Sequence, residues 1–219
     1  MPDVILPALN EAEALKILLP RMPAGFRAIV VDNASTDDTA SVAQSLGARV
    51  VRAEQRGFGA ACFAGLCAAT DEIVCFMDAD GSLDPTELPL VVAPILDGDA
   101  DLVMGTRQAD RGTWPFHLRL ANRYLARTVS KAAQTRITDL GPMRAAKRES
   151  LLALNLQDRR FGWPLEMVLA AAHANWRIAE VPVTYVERVG KSKVTGTLRG
   201  LFRTVLDMSR WIRHYRAET

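Results

Sequence analysis

The sequence predicts an α/β fold, with a mostly parallel sheet flanked by helices and an amphipathic helix at the C-terminal end. Three observations carry this. Short apolar runs alternate with helix-spaced segments through the first half of the chain, the pattern of repeated strand–helix units. The run Ile73-Val74-Cys75-Phe76-Met77 has no polar face, as expected of a strand buried on both sides. Aspartates follow two of these runs, Asp32 after the second and Asp78 and Asp80 after the fourth. That is the sheet edge at which open α/β folds bind their ligands.

Taken in order, 3–6 is a strand closed by Pro7, and 11–19 has helical spacing. A second strand at 28–31 runs into Asp32, followed by Asn33-Ala34-Ser35-Thr36-Asp37-Asp38. Ser35 or Thr36 is the expected N-cap there, with acids in the first turn of a helix over 39–46 that Gly47 stops. A strand at 49–52 leads through Arg56-Gly57-Phe58-Gly59 into a helix at 60–69, and then to the central strand. Pro85 suits the first turn of a helix reaching 96. A strand at 100–104 is expected to end at Gly105-Thr106-Arg107. Beyond a polar loop at 110–115, the pattern gives a long helix at 116–133, a turn and short strand at 138–145, and helices at 148–154 and 162–174. One or two strands follow at 176–186, broken at Pro182, and then the basic loop 188–193.

The segment 198–215 places Leu198, Leu201, Phe202, Val205, Met208, Ile212 and Tyr215 at helical spacing, with arginines over much of the remainder. It suits a helix docked on the domain with a solvated basic face, or one lying on an anionic membrane. The chain thus divides into a domain over 1–197 and a basic amphipathic helix over 198–219, either part of that domain or a peripheral membrane contact.

Composition narrows the class. The 219 residues are 49% apolar and 24% charged, enough for a real core. Net charge is +2, but 187–219 carries +5 and the rest −3, so the basic end is a candidate surface for phosphates or anionic lipid. Basic residues with little aromatic interleaving argue against nucleic-acid binding. Cys62, Cys67 and Cys75 form no CxxC and read as reduced core or near-core residues, favouring a cytoplasmic setting. The three histidines are scattered and suggest no zinc site. No apolar run is long enough to span a membrane, and the N-terminus lacks a signal-peptide pattern.

In an extended chain Asp78 and Asp80 face the same way. Alone, that pair suits either Asp-Gly turn chemistry or hard oxygen ligands for Mg²⁺ or Mn²⁺ beside a diphosphate. With Asp32 gathered at the same edge, the carboxylate cluster favours the metal. A dinucleotide site is excluded, because the loop after the first strand is Pro-Ala-Leu-Asn-Glu and Gly57-Phe58-Gly59 follows the third strand. No P-loop is present either.

Pro7-Ala8-Leu9-Asn10-Glu11, Val31-Asp32-Asn33-Ala34-Ser35-Thr36-Asp37, Arg56-Gly57-Phe58-Gly59 and Asp78-Ala79-Asp80 together resemble inverting family 2 glycosyltransferases of the GT-A fold, a Rossmann-like architecture. Thr138-Asp139-Leu140-Gly141-Pro142-Met143-Arg144 resembles a later motif of the same enzymes. Arg188-x-x-Gly-Lys-Ser-Lys193 resembles the loop of dolichyl-phosphate mannose synthase-like and other polyprenyl-phosphate sugar transferases.

The resemblance implies a nucleotide-diphosphate sugar donor, UDP- or GDP-linked. Pro7, Ala8, Asn10, Glu11 and Asp32 would line the base and ribose pocket, with Arg56, Gly57 and Gly59 near the nucleotide. It implies Mg²⁺ or Mn²⁺ on Asp78 and Asp80, with Asp80 catalytic through that metal. Asp139 would assist catalysis or place the acceptor, and Arg107, Arg188, Lys191, Ser192 and Lys193 would meet phosphates or the acceptor.

Two positions depart from the pattern. Asn33 replaces a frequent second Asp, and Ser82 stands where some members place a metal-completing Gln. The processive-synthase signature is absent. The expected acceptor is a polyprenyl phosphate met at the cytoplasmic membrane surface, which needs no strong base. The alternatives are a soluble hydroxyl acceptor, which would need Asp139 or Glu166 as base, and a non-catalytic nucleotide-binding module. Glu166 also reads simply as a first-turn helix carboxylate.

Overall fold

The computed structural model describes residues 1–109 and 116–189, with Trp211 and Tyr215 beyond them; within Phe116–Ala133, side chains are described from Leu125 onward. Lys191, Ser192, Lys193, the domain boundary at 197 and nearly all of the expected C-terminal helix lie outside the described residues.

Among the described residues, seven strands form one sheet in the order β3-β2-β1-β4-β6-β5-β7. They are β1 (Asp3–Ala8), β2 (Arg27–Asp32), β3 (Arg49–Arg52), β4 (Ile73–Phe76), β5 (Leu102–Ala109), β6 (Arg144–Lys147) and β7 (Ile178–Tyr185). All pairings are parallel except those of β6, which is antiparallel to both β4 and β5. The helices are α1 (Ala12–Leu18), α2 (Thr39–Ser45), α3 (Phe58–Ala68), α4 (Leu88–Leu96), α5 (Phe116–Ala133), α6 (Arg148–Ala153) and α7 (Trp163–His173).

The period-two pleat sorts the apolar strand residues onto two faces. Ile5, Ile29, Val31, Val74, Phe76, Leu102 and Met104 pack with α3, α5, α6 and α7. Val4, Leu6, Val30, Ile73, Cys75 and Val103 pack with α1 and α4. Each fully buried Leu or Ile contributes roughly 1.5–3 kcal/mol. Helix α3 packs closely on the sheet at Gly65, where an added Cβ would meet Ile5 Cγ2 at 2.4 Å.

Several sequence expectations are corrected. The strand at 100–104 does not stop at Gly105; β5 continues to Ala109, because β7 pairs with it through to Tyr185. Pro182 does not break β7. It pairs with Thr106 in a strand at the sheet edge, where a missing N–H costs no ladder bond on the open side. Neither Ser35 nor Thr36 caps α2, which starts at Thr39 after Asp38 and has no acid in its first turn; both are engaged with Asn10 instead. Cys62 and Cys75 are buried, but Cys67 is exposed.

Candidate active site

Because β6 runs against its neighbours, it begins at the edge where the parallel strands end. Arg144 lies level with Phe76, the last residue of β4, and with Met104 of β5. The loop before β6, which carries Asp139, is thereby brought to the same edge as the loops after β1, β2, β4 and β7.

The loops after β1 and β2 are laced together. Asn10 adopts φ 53°, accepts from the Thr36 N–H at 2.7 Å and donates its own N–H to the Ser35 hydroxyl. Asp32, buried at the end of β2, accepts from the Ser35 N–H at 3.0 Å. The Glu11 N–H donates to the Thr39 hydroxyl at 2.8 Å, and that hydroxyl donates to Asp37. Pro7 and Ala8 end β1 opposite Val31 and Asp32.

Asn33, which the sequence presents as a missing charge, is a clamp. It donates to the Gln55 carbonyl and accepts from the Gly57 N–H at 2.8 Å, fixing the turn that carries the exposed Arg56. Gly57 and Gly59 are explained by a close backbone approach. A Cβ on Gly57 would meet the Arg159 carbonyl oxygen at 2.1 Å, and one on Gly59 the Asp158 oxygen at 2.6 Å. The Gly59 and Ala60 N–H groups donate to the Arg160 and Arg159 carbonyls. That supporting loop is held by Glu166, whose two oxygens accept from the Gln157 and Asp158 N–H groups at 2.7 Å each. Both Glu166 oxygens are therefore committed to loop anchoring, in keeping with its place in the first turn of α7. Asp158 is in turn reached by the Trp211 indole N–H at 2.9 Å.

Asp78 and Asp80 follow the end of β4 at Phe76, beyond the strand itself, and their carboxylates lie close enough to act on one another. Asp80 accepts from the Ser82 N–H at 3.0 Å across a turn that Gly81 makes at φ 77°. Burial, reinforced by the neighbouring Asp80 carboxylate, pushes the Asp78 carboxyl up to about 7. Arg188, just past β7, bridges two loops. Its guanidinium stands 3.2 Å from Glu11 Oε1 and 3.3 Å from Asp80 Oδ2.

Arg107 and Asp139 form a second pair. Arg107 donates Nε to Asp139 Oδ2 at 2.9 Å, Nη2 to Oδ1 at 2.6 Å and its backbone N–H to Oδ2 at 2.9 Å. Such a bidentate grip fixes both partners. Asp139 is only 5% exposed, and its N–H donates to Glu180. Its loop tolerates no bulk, since a Cβ on Gly141 would stand 1.7 Å from the Gly105 carbonyl oxygen.

Two residues at this site had no assigned role in the sequence. Arg144 is buried at the start of β6; it donates to the Gly141 and Pro164 carbonyls, and its Nη2 has no partner. Burial lowers its guanidinium to about 10, against the opposing pull of Asp139 and Asp78. Tyr185, the last residue of β7, lies with its ring 5.6 Å from the Arg107 guanidinium. Burial raises its hydroxyl, with Arg107 opposing and Asp80 and Asp78 adding to the rise. Arg144 closes the Thr138–Met143 motif and Tyr185 stands three residues before Arg188. Position beside those motifs was the one available signal.

Among the described residues no cluster of three or more His, Cys, Asp or Glu side chains could hold a metal. Asp78 and Asp80 still fit a hard divalent cation. They gather negative charge at a buried edge, and such a cation takes its remaining ligands from diphosphate oxygens and water.

Comparison with known proteins gives the family and the fold. Residues 3–153 match the model described as glycosyl transferase family 2. An uncharacterized glycosyltransferase of Mycobacterium tuberculosis is 48% identical over 206 residues, covering 93% of this chain and 94% of its own. An undecaprenyl-phosphate mannosyltransferase of Micrococcus luteus is 31% identical, covering 94% and 92%. Among solved structures, glucosyl-3-phosphoglycerate synthase from Mycobacterium tuberculosis, in complex with Mn²⁺, UDP and glucosyl-3-phosphoglycerate, is 25% identical. It superposes with a TM-score of 0.79 over 98% of this chain and 79% of its own.

Proposed function

Given that the chain belongs to glycosyl transferase family 2, we propose that it moves a sugar, with inversion, from a nucleoside-diphosphate sugar to the phosphate of a polyprenyl lipid. The observation that carries the acceptor class is the state of Asp139 and Glu166, the two carboxylates that could serve as a base. Asp139 has both oxygens held by Arg107, and Glu166 has both held by backbone N–H groups. A hydroxyl acceptor needs a base to take its proton. A phosphate monoester does not, being ionised near neutrality with a second pKa of about 6.

In this reading the loops after β1 and β2 receive the nucleoside, and Asp78 and Asp80 hold Mg²⁺ or Mn²⁺. The cation supplies Lewis-acid charge for the departing diphosphate. Asp139 locks Arg107 so that its charge faces the acceptor anion without rearrangement. Arg188, with Lys191 and Lys193 following it in the sequence, adds positive charge for phosphates. The 31% identical mannosyltransferase, named for undecaprenyl phosphate, supports the lipid acceptor.

A soluble phosphorylated acceptor is the second reading, favoured by the likeness to glucosyl-3-phosphoglycerate synthase. No helix among the described residues is long and apolar enough to cross a membrane. The deciding experiment incubates the full chain with Mn²⁺ and a panel of UDP- and GDP-sugars. Undecaprenyl phosphate and 3-phosphoglycerate are offered in parallel, and products are read by mass spectrometry. A glycosylated lipid phosphate is expected; transfer to 3-phosphoglycerate alone would overturn the lipid assignment.

A further inference from the structure

The contact between Arg188 and Asp80 bears on how a divalent cation enters the site, an inference that rests on Asp78 and Asp80 being the metal ligands. Arg188 follows the end of β7 at Tyr185. It reaches across from the end of β7 to two carboxylates on other loops, Glu11 after β1 and Asp80 after β4. Its side chain is 24% exposed, and its Nε is buried without a partner.

The backbone around it is strapped to the same turn. The Val186 N–H donates to the Ser82 carbonyl at 3.0 Å and the Val189 N–H to the Asp80 carbonyl at 2.9 Å. A Cβ on Gly81 would lie 3.1 Å from Val189 Cγ2, so the strap sits flush on the turn. Residues 186–189 are thus fastened onto Asp80–Ser82 by two backbone bonds, one packing contact and one ion pair.

Two positive charges cannot share Asp80 Oδ2 without strong mutual repulsion. A guanidinium already stands 3.3 Å from that oxygen, on the side from which a cation would approach the carboxylate. We propose that Arg188 is the counter-ion of the metal-free site. It occupies Asp80 in the absence of a divalent cation, competes with the cation for that carboxylate, and gives up the contact when the cation binds. Glu11 remains as its second partner, so the displaced guanidinium is not left uncompensated. The released Arg188 then lies beside the nucleotide loops, free to turn its unsatisfied Nε toward diphosphate oxygen.

The apparent affinity of a site is its intrinsic affinity scaled by the fraction of molecules in which the site is open. Arg188→Gln, which removes the competitor, is therefore expected to bind Mn²⁺ without nucleotide about tenfold more tightly than the wild type, the gain of a site closed in roughly nine molecules of ten. Arg188→Lys keeps the charge but loses the fork that reaches Glu11 and Asp80 together, and should fall between wild type and Arg188→Gln.

The measurement is titration of the full chain with Mn²⁺ alone, with free ion read by electron paramagnetic resonance and the fold of each variant checked by circular dichroism. Asp80→Asn is run alongside. If Mn²⁺ binding depends on Asp80 but Arg188→Gln leaves it unchanged or weaker, the competition is overturned while the metal site stands. If Asp80→Asn leaves Mn²⁺ binding unchanged, the metal assignment itself fails, and with it the competition.

Discussion

Ala34 holds φ 65° in the loop between Asp32 and Ser35. An L-residue pays about 1–2 kcal/mol for the left-handed region, because its Cβ crowds the following carbonyl. The conformation persists because Ser35 is pinned from both sides, its N–H by Asp32 and its hydroxyl by the Asn10 N–H. Ala34→Gly is therefore expected to stabilise the protein by about 1 kcal/mol, raising Tm by about 2–4 °C. A fall in Tm would show that the unfolded-chain entropy of the new glycine outweighs the strain it relieves. The same loop shows why some residues were legible in the sequence and others not. Asp32, Asp78 and Asp80 announce themselves, since carboxylates rarely end buried strands without a purpose. Asn33 does not, because its value lies in reaching Gln55 and Gly57 of a different loop, and nothing local to residue 33 encodes that partner.

At the level of elements, most strands and helices follow from periodicity, because each apolar face had one possible destination. What escaped was decided by partners distant in the chain. The length of β5 depends on β7, and the continuity of β7 through Pro182 depends on its being an edge strand. Asp139 stands out by its motif, but its engagement by Arg107 requires β6 to be antiparallel, which its short apolar run does not specify. Gly57 and Gly59 illustrate the same limit. Their motif suggests nucleotide proximity, while their backbones lie against the loop at 158–160. Gly57 stands at φ 145° with a carbonyl 2.1 Å from any Cβ. Gly57→Ala should accordingly cost about 2–4 kcal/mol, read as a lower midpoint in urea with an unchanged slope. Retention of the wild-type midpoint would mean that the 158–160 loop gives way freely.

For the whole molecule, Asp78 sets a conflict between stability and the metal site. Its carboxyl rises from an ordinary 3.8 to about 7. Between those values the unfolded chain is ionised there while the folded chain keeps the proton. The contribution of Asp78 to stability is therefore fully present below about pH 4 and is lost as pH rises through 7. Asp78→Asn removes that dependence. In metal-free buffer it should raise Tm by about 5 °C at pH 8, corresponding to on the order of 2 kcal/mol, and by almost nothing at pH 4. An equal change at both pH values would show that the carboxylate charge is not the cause.

The antiparallel insertion of β6 also bears on how the chain is made. The strand Ile73–Phe76, apolar throughout and buried, lies between β1 and β6. Its first neighbour has left the ribosome long before it, but the second, Arg144–Lys147, comes roughly 70 residues later. At about 5–20 residues per second, one side of this strand waits several seconds for its partner. During that interval the nascent protein exposes an unpaired apolar edge in the middle of its future sheet, the kind of surface that chaperones bind and that neighbouring nascent chains can invade.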